Sequence, residues 1–140
     1  MPAPNGNLVT PVGFDVNGNP RAGNLPFTYM DSYIETVSNL LTPAGGQFLY
    51  GTAVTAGELW VVTAIAAKNI NTIATTIGLG TYDGVNYTEL AANTPTATII
   101  RTVYAGWIPV PAGSKVYAFF GGCTLNDDIF LYIHGFKMQL

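Results

Sequence analysis

From residue 47 to the C-terminus, apolar and polar positions fall into short runs broken by Gly, Pro, Asn and Asp. The breaks come about every eight to twelve residues, the spacing of an all-β domain. The longest run is Glu58-Leu59-Trp60-Val61-Val62-Thr63-Ala64-Ile65-Ala66-Ala67-Lys68. Read with period two, one face carries Glu58, Trp60, Val62, Ala64 and Ala66, and the other Leu59, Val61, Thr63, Ile65 and Ala67. Neither face is polar. A strand with one wetted side alternates apolar and polar residues, whereas a strand covered on both sides does not. The run is therefore expected to have an inner face for folding, which contains Trp60. Its outer face, which contains Val61 and Ile65, is expected to serve assembly.

The same pattern closes the chain. In 129–138, Ile129, Leu131 and Ile133 alternate with Phe130, Tyr132, Phe136 and Met138. Between these two strands the pattern predicts strands over 72–79, 85–90, 96–104 and 115–120, with another at 47–54 before the first. Asp83-Gly84 is a hairpin signal, and 85–90 is short and polar enough to be an edge. The turns Thr55-Ala56-Gly57 and Pro111-Ala112-Gly113 echo one another, each leading into an apolar strand. Residues 29–41 are ambiguous. Ile34, Val37, Leu40 and Leu41 have helical spacing and Ser32-x-x-Glu35 has capping-box form, while the Tyr, Thr and Val content favours an edge strand. Either element should end before Pro43. About eight strands of this size suit a jelly-roll-like antiparallel β-sandwich, expected over residues 29–140.

Residues 1–28 are of a different character. Pro2, Pro4, Pro11, Pro20 and Pro26 are interleaved with Gly and Asn, which excludes a regular helix or a central strand. Leu8, Val9, Phe14, Val16, Leu25 and Phe27 are apolar anchors along it, and Asn17-Gly18 is a tight-turn signal. The segment is expected to be an extended arm that orders on a neighbouring subunit, with those six residues, Val61 and Ile65 as the contact set.

Composition narrows the function. Of 140 residues, 49% are hydrophobic and only 9% charged, with a net charge of -3. The basic residues Arg21, Lys68, Arg101, Lys115 and Lys137 are scattered, so no electrostatic footprint for nucleic acid exists. No run is long enough to span a membrane as a helix, and the first residues lack the pattern of a signal peptide. Synthesis in the host cytoplasm is the expectation. With a single Cys and a single His, the chain has no zinc-type cluster and few catalytic options.

The residues of chemically capable type read better as structure. His134 lies among aromatics with no nucleophile or orienting acid signalled near it. Asp127 and Asp128, with Asn126 and Thr124, could offer oxygen ligands to calcium but lack the spacing of a calcium loop, and suit a turn before the last strand. Cys123 has no cationic neighbour in sequence to activate it. Tyr82, Tyr87 and Trp107 are candidates for stacking on sugars, although Trp107 reads first as core. No catalytic, cofactor-binding or metal-binding residue is assigned, and a non-enzymatic role is expected.

Three stretches carry a resemblance. They are Pro11-Val12-Gly13-Phe14-Asp15-Val16-Asn17-Gly18-Asn19-Pro20-Arg21, Ala56-Gly57-Glu58-Leu59-Trp60-Val61-Val62, and Asp128-Ile129-Phe130-Leu131-Tyr132-Ile133-His134-Gly135-Phe136. With them the chain resembles the small β-sandwich virion proteins of tailed bacteriophages, most of all capsid decoration (cement) proteins. The resemblance implies a homo-oligomer, a trimer by preference, on the outer capsid surface, clasping junctions between major capsid protein subunits without cofactors. The alternative is a receptor- or glycan-binding β-sandwich module of a tail or fibre tip.

Overall fold

The structure is a computed structural model that describes residues 28–73, 76–96 and 100–140, with the backbone alone at 28–30. Eight strands run in order: β1 (Thr28–Thr42), β2 (Gly45–Tyr50), β3 (Glu58–Asn69), β4 (Ile77–Tyr82), β5 (Tyr87–Asn93), β6 (Arg101–Pro111), β7 (Lys115–Cys123) and β8 (Asp127–Gln139). They form two four-stranded antiparallel sheets of order β1-β8-β3-β6 and β2-β7-β4-β5. Most successive strands lie in opposite sheets, the exception being β4 and β5, which pair as a hairpin, and the two sheets together make an antiparallel β-sandwich. The proposed arm, with Leu8, Val9, Phe14, Val16, Leu25 and Phe27, lies outside the described residues.

Residues 28–42 resolve as a strand. β1 pairs with β8 along nearly its whole length, so tertiary pairing overrides the helical spacing. Glu35 does not close a capping box. Its carboxylate accepts hydrogen bonds from the Tyr33 hydroxyl and from the Thr52 backbone N–H and hydroxyl, tying β1 to the segment after β2. Near Pro43 the strand ends in a bulge with Leu41 at φ 56°, where the Leu41 N–H donates to the Asp128 carboxylate at 2.9 Å.

The two echoing turns meet in space. Gly57 and Gly113 both take a left-handed φ, of 81° and 84°, which a side chain would resist. The Gly113 N–H donates to the Val54 carbonyl and the Val54 N–H to the Ser114 carbonyl, each at 2.9 Å. The paired turns thus set Trp60 opposite Val110, both buried.

The core lies between the sheets and draws on both. Trp60, Val62, Ile65, Ile129, Leu131 and Ile133 come from the first sheet, and Leu49, Ile77, Leu79, Val116 and Phe120 from the second. One assignment from the alternation is corrected here. Ile65 is fully buried and belongs to the core, not to an outer face. The cause is a β-bulge between Val62 and Ala64, present in the pairing of β3 with both β6 and β8. Against β8, Thr63 is the extra residue, whereas against β6 two steps of β3 meet three of β6, and the facing of everything in β3 after Thr63 is reversed. Trp60 faces inward as expected, and Val61 stays on the outer side.

Candidate interaction surfaces

The outer face of the first sheet can be read off its register. Rows of cross-strand neighbours run Pro109-Val61-Phe136-Ser32, Ala105-Ala64-His134-Ile34, Val103-Ala66-Tyr132-Thr36 and Arg101-Lys68-Phe130-Ser38. Outside the last row almost every position in β6, β3 and β8 is apolar or aromatic. Val61 is shielded to 9% exposure by this layer, whereas Val103, Trp107 and Ile34 remain 54%, 75% and 68% exposed. Trp107 therefore departs from the core reading. It stands on the outer face, edge-on to Phe136 with ring centroids 5.6 Å apart. His134 is exposed on this same face, among the aromatics with which the alternation grouped it.

At one end of this face lies a cleft of about 250 Å³ lined by Ala66, Ala67, Lys68, Arg101 and Tyr132. Lys68 and Arg101 are directly opposed cross-strand partners. The Lys68 ammonium sits 5.8 Å from the Phe130 ring centroid and 5.5 Å from that of Tyr132, a cation–π arrangement.

The outer face of the second sheet holds a separate aromatic cluster. Phe48, Tyr50, Tyr117, Phe119, Tyr82 and Tyr87 meet across β2, β7, β4 and β5. Phe48 faces Phe119 at 4.7 Å, Tyr82 stacks on Tyr87 at 4.4 Å, and Tyr87 meets Tyr117 edge-on at 4.9 Å. Gly80 makes room for them. A Cβ there would stand 2.9 Å from the Tyr117 ring and 2.0 Å from the Thr88 carbonyl oxygen. The Tyr50 and Tyr87 hydroxyls are hydrogen-bonded to each other. Burial first, and then this bond, push the Tyr50 phenol up to about 12. Lys115 caps the cluster, 5.0 Å from the Tyr50 ring centroid.

Of the sugar-stacking candidates, the structure brings Tyr82 and Tyr87 together and leaves Trp107 on the opposite sheet. Phe48 and Tyr50 complete the cluster but are not singled out by sequence reasoning. Their signal is the alternation of Phe48 and Tyr50 with Gln47 and Leu49 in a strand whose other face is already core.

The polar residues weighed for chemistry are turn and latch groups. Asp83 accepts from the Val85 and Asn86 backbone N–H groups at 2.8 and 2.7 Å, which holds its carboxyl below the usual value. Asp127 is buried and accepts from the Asn69 amide and the Thr124 N–H, each at 2.7 Å. Burial opposes its charge, but these bonds and one from Thr72 hold the carboxyl below its ordinary value. Cys123 is buried, and that burial pushes its thiol up.

Neither family models nor curated proteins match the sequence. Among solved structures, the fold is similar to that of a chain from the acidic stable capsid structure of Helicobacter pylori bacteriophage KHP30, with a TM-score of 0.55 and 14% identity over 79% of this chain and 90% of that one.

Proposed function

We propose that the protein is a structural component of a bacteriophage virion, which decorates the outer capsid surface and bridges major capsid protein subunits, as a trimer. The observation that carries this reading is that a sandwich with a single interior bears aromatic outer faces on both of its sheets. Monomers rarely expose large contiguous apolar patches, so both faces call for cover. The shared fold with a chain of a phage capsid structure supports placing that cover in a virion. The action is mechanical and needs no catalytic group. Apolar area closed off across a capsid joint stabilises it by roughly 25 cal/mol per Å², and several contacts per oligomer multiply the effect.

The test is uptake onto purified capsids assembled without the protein, followed by co-sedimentation, with the oligomer mass measured in parallel. Phe48 is the probe, being 43% exposed on the edge strand β2 and in contact with Tyr50, Tyr87, Tyr117 and Phe119 of the aromatic cluster. Phe48→Asp is expected to keep the fold and to lose capsid uptake by at least about tenfold, the scale of one interface anchor. Capsids that take up no wild-type protein overturn the reading.

The Tyr82–Tyr87 stack beside the β4–β5 hairpin favours one second reading, a glycan-binding module of a tail or fibre tip. Retention of the wild-type chain on host polysaccharide, abolished by Tyr87→Ser, supports that reading over the first.

A further inference from the structure

We infer that the Lys68–Arg101 cleft is a carboxylate-binding site, which seats an acidic side chain of a protein partner flanked by apolar residues. The starting point is an electrostatic oddity. Like charges placed directly opposite each other across an antiparallel pair destabilise it, yet Lys68 and Arg101 are such a pair. Their Cβ atoms leave the sheet about 5 Å apart. Among the described residues neither forms an ion pair with a carboxylate. Asp128, two positions from Phe130 on β8, turns its carboxylate to the Leu41 N–H instead. Lys68, Lys115 and Lys137 each lie over two aromatic rings. Arg101 is exposed and has no such ring partner among the described residues. Where a local rule is broken with no compensation inside the chain, the compensation is sought in a ligand.

The surroundings select the ligand. The cleft holds about 250 Å³ and its other walls are Ala66, Ala67 and Tyr132, so the anion it takes has a hydrocarbon stem to lie on them. A side-chain carboxylate has this form, with one oxygen for the Arg101 fork and the other for the Lys68 ammonium. A phosphate, hydrated on every side, leaves the apolar walls unused. A sugar needs polar partners for several hydroxyls, and besides the two cations the lining offers only the Tyr132 hydroxyl. The cleft is also continuous with the apolar face. The row Val103-Ala66-Tyr132 lies two positions along the strands, about 7 Å away, and Val103 is 54% exposed. An extended partner segment with an apolar residue two positions from its acid spans both rows. Aromatic groups with an Arg at their margin are the composition of a protein interface. The inference rests on the decoration reading for the source of the acid, a capsid subunit, and not for the site itself.

The test titrates the isotopically labelled full-length protein with hydrocinnamate, a carboxylate two carbons from a phenyl ring, and follows backbone amide signals by NMR. Binding with a Kd of about 1–10 mM, the range for a fragment of this size, is expected to move the signals of Ala66, Ala67, Lys68 and Arg101. Arg101→Gln is expected to weaken it at least about fivefold, the loss of a charge-assisted fork. The uncharged hydrocinnamide is expected to move none of these signals. Absence of the shifts with hydrocinnamate up to about 50 mM overturns the site. Inorganic phosphate or glucuronate moving the same signals at lower concentration overturns the assignment to a protein acid. Uptake onto purified capsids is the second arm. Arg101→Gln is expected to lower it about tenfold and Arg101→Lys by less, with little dependence on salt because a single closed-off pair is weakly screened. Equal uptake of wild type and Arg101→Gln overturns the capsid as the source of the acid. No uptake of the wild type overturns the decoration reading and that source with it, while the titration decides the cleft independently.

Discussion

Trp60 and Ile65 both point into the sandwich although five positions separate them in β3. In a regular strand an odd separation puts two side chains on opposite faces. The bulge at Thr63 supplies the extra residue, so Trp60 and Val62 face inward before it, and Ile65 and Ala67 after it. β8 carries no compensating irregularity and keeps Ile129, Leu131 and Ile133 inward throughout.

The two sides of β3 should therefore respond differently to a charge. Ile65→Asp would bury a carboxylate with no partner in the core and is expected to cost more than about 4 kcal/mol, enough to unfold a domain of ordinary stability. Ile65→Ala is expected to cost about 2–5 kcal/mol. Val61 lies outside the core cluster beneath a single layer of outer side chains, so Val61→Asp is expected to need only a shift of that layer to reach water and to leave a folded chain with a smaller loss. Urea denaturation of the three variants checks the order. A Val61→Asp variant less stable than Ile65→Asp would mean that the faces are assigned the wrong way round.

The bulge also explains a glycine. A Cβ on Gly135 would lie 2.2 Å from the Val61 carbonyl oxygen and 2.8 Å from the Val62 Cα, both backbone atoms that cannot swing aside. The close approach of β3 to β8 thus requires glycine at this position. Gly135→Ala is expected to lower stability by about 1–3 kcal/mol, the usual range for overpacking. Gly57→Ala, with no atom near its Cβ and only a left-handed φ to resist, is expected to cost about 1 kcal/mol. Thermal unfolding of the two variants side by side gives the comparison.

How far the sequence reaches can be judged at these same positions. Alternation grouped Ile129, Leu131 and Ile133 on one face of β8, because its apolar and aromatic positions keep strict period two, and burial shows that face to be the inner one. It could not give Ile65, because a strand apolar on both faces contains no mark of where its register slips. The echo of Ala56-Gly57 and Ala112-Gly113 was legible, since only glycine suits the left-handed turn positions. Their pairing through Val54 was not, because it joins segments nearly 60 residues apart. β4 begins at Ile77, later than the 72–79 run predicts, and β6 runs on to Pro111, beyond the 96–104 run. Residues 28–42 illustrate the limit of local periodicity: Ile34, Val37, Leu40 and Leu41 mimic a helix, and pairing with β8 decides otherwise. The aromatic cluster of the second sheet was half visible. Tyr82 and Tyr87 were in view as stacking candidates, but that they meet Phe48, Tyr50, Tyr117 and Phe119 on one outer surface depends on strand order.

Acid should act on the structure through Asp127. Its carboxyl is held below the ordinary value of about 3.9 by bonds from Asn69, Thr124 and Thr72 acting against burial. A group with a depressed folded value binds protons more readily when unfolded, so it stabilises the fold above the unfolded value. That contribution is lost as pH falls through the folded one. Stability is thus expected to decline below about pH 4 in the wild type. Asp127→Asn is expected to be less stable near neutrality and to show a flatter acid limb. Urea midpoints between about pH 2 and pH 7 measure both, and an unchanged acid limb in the variant would remove Asp127 from the account.

The proposed capsid contact has a salt signature that follows from its chemistry. The second outer face is dominated by Phe48, Tyr50, Tyr82, Tyr87, Tyr117 and Phe119, with Lys115 resting on two of the rings and Glu89 beside Tyr117. Apolar burial is insensitive to moderate ionic strength, whereas contacts between separated exposed charges are screened within about 10 Å at 0.1 M salt. Uptake onto capsids is therefore expected to change by less than about threefold between 50 and 500 mM sodium chloride. A surface held by many ionic contacts would lose orders of magnitude over the same range, as polycation binding to nucleic acid does. A steep loss would shift the contact from the aromatic face to the scattered charges, and Lys115→Gln would then be expected to reproduce it at low salt. With a shallow salt response, Lys115→Gln should leave uptake nearly unchanged while Phe48→Asp abolishes it.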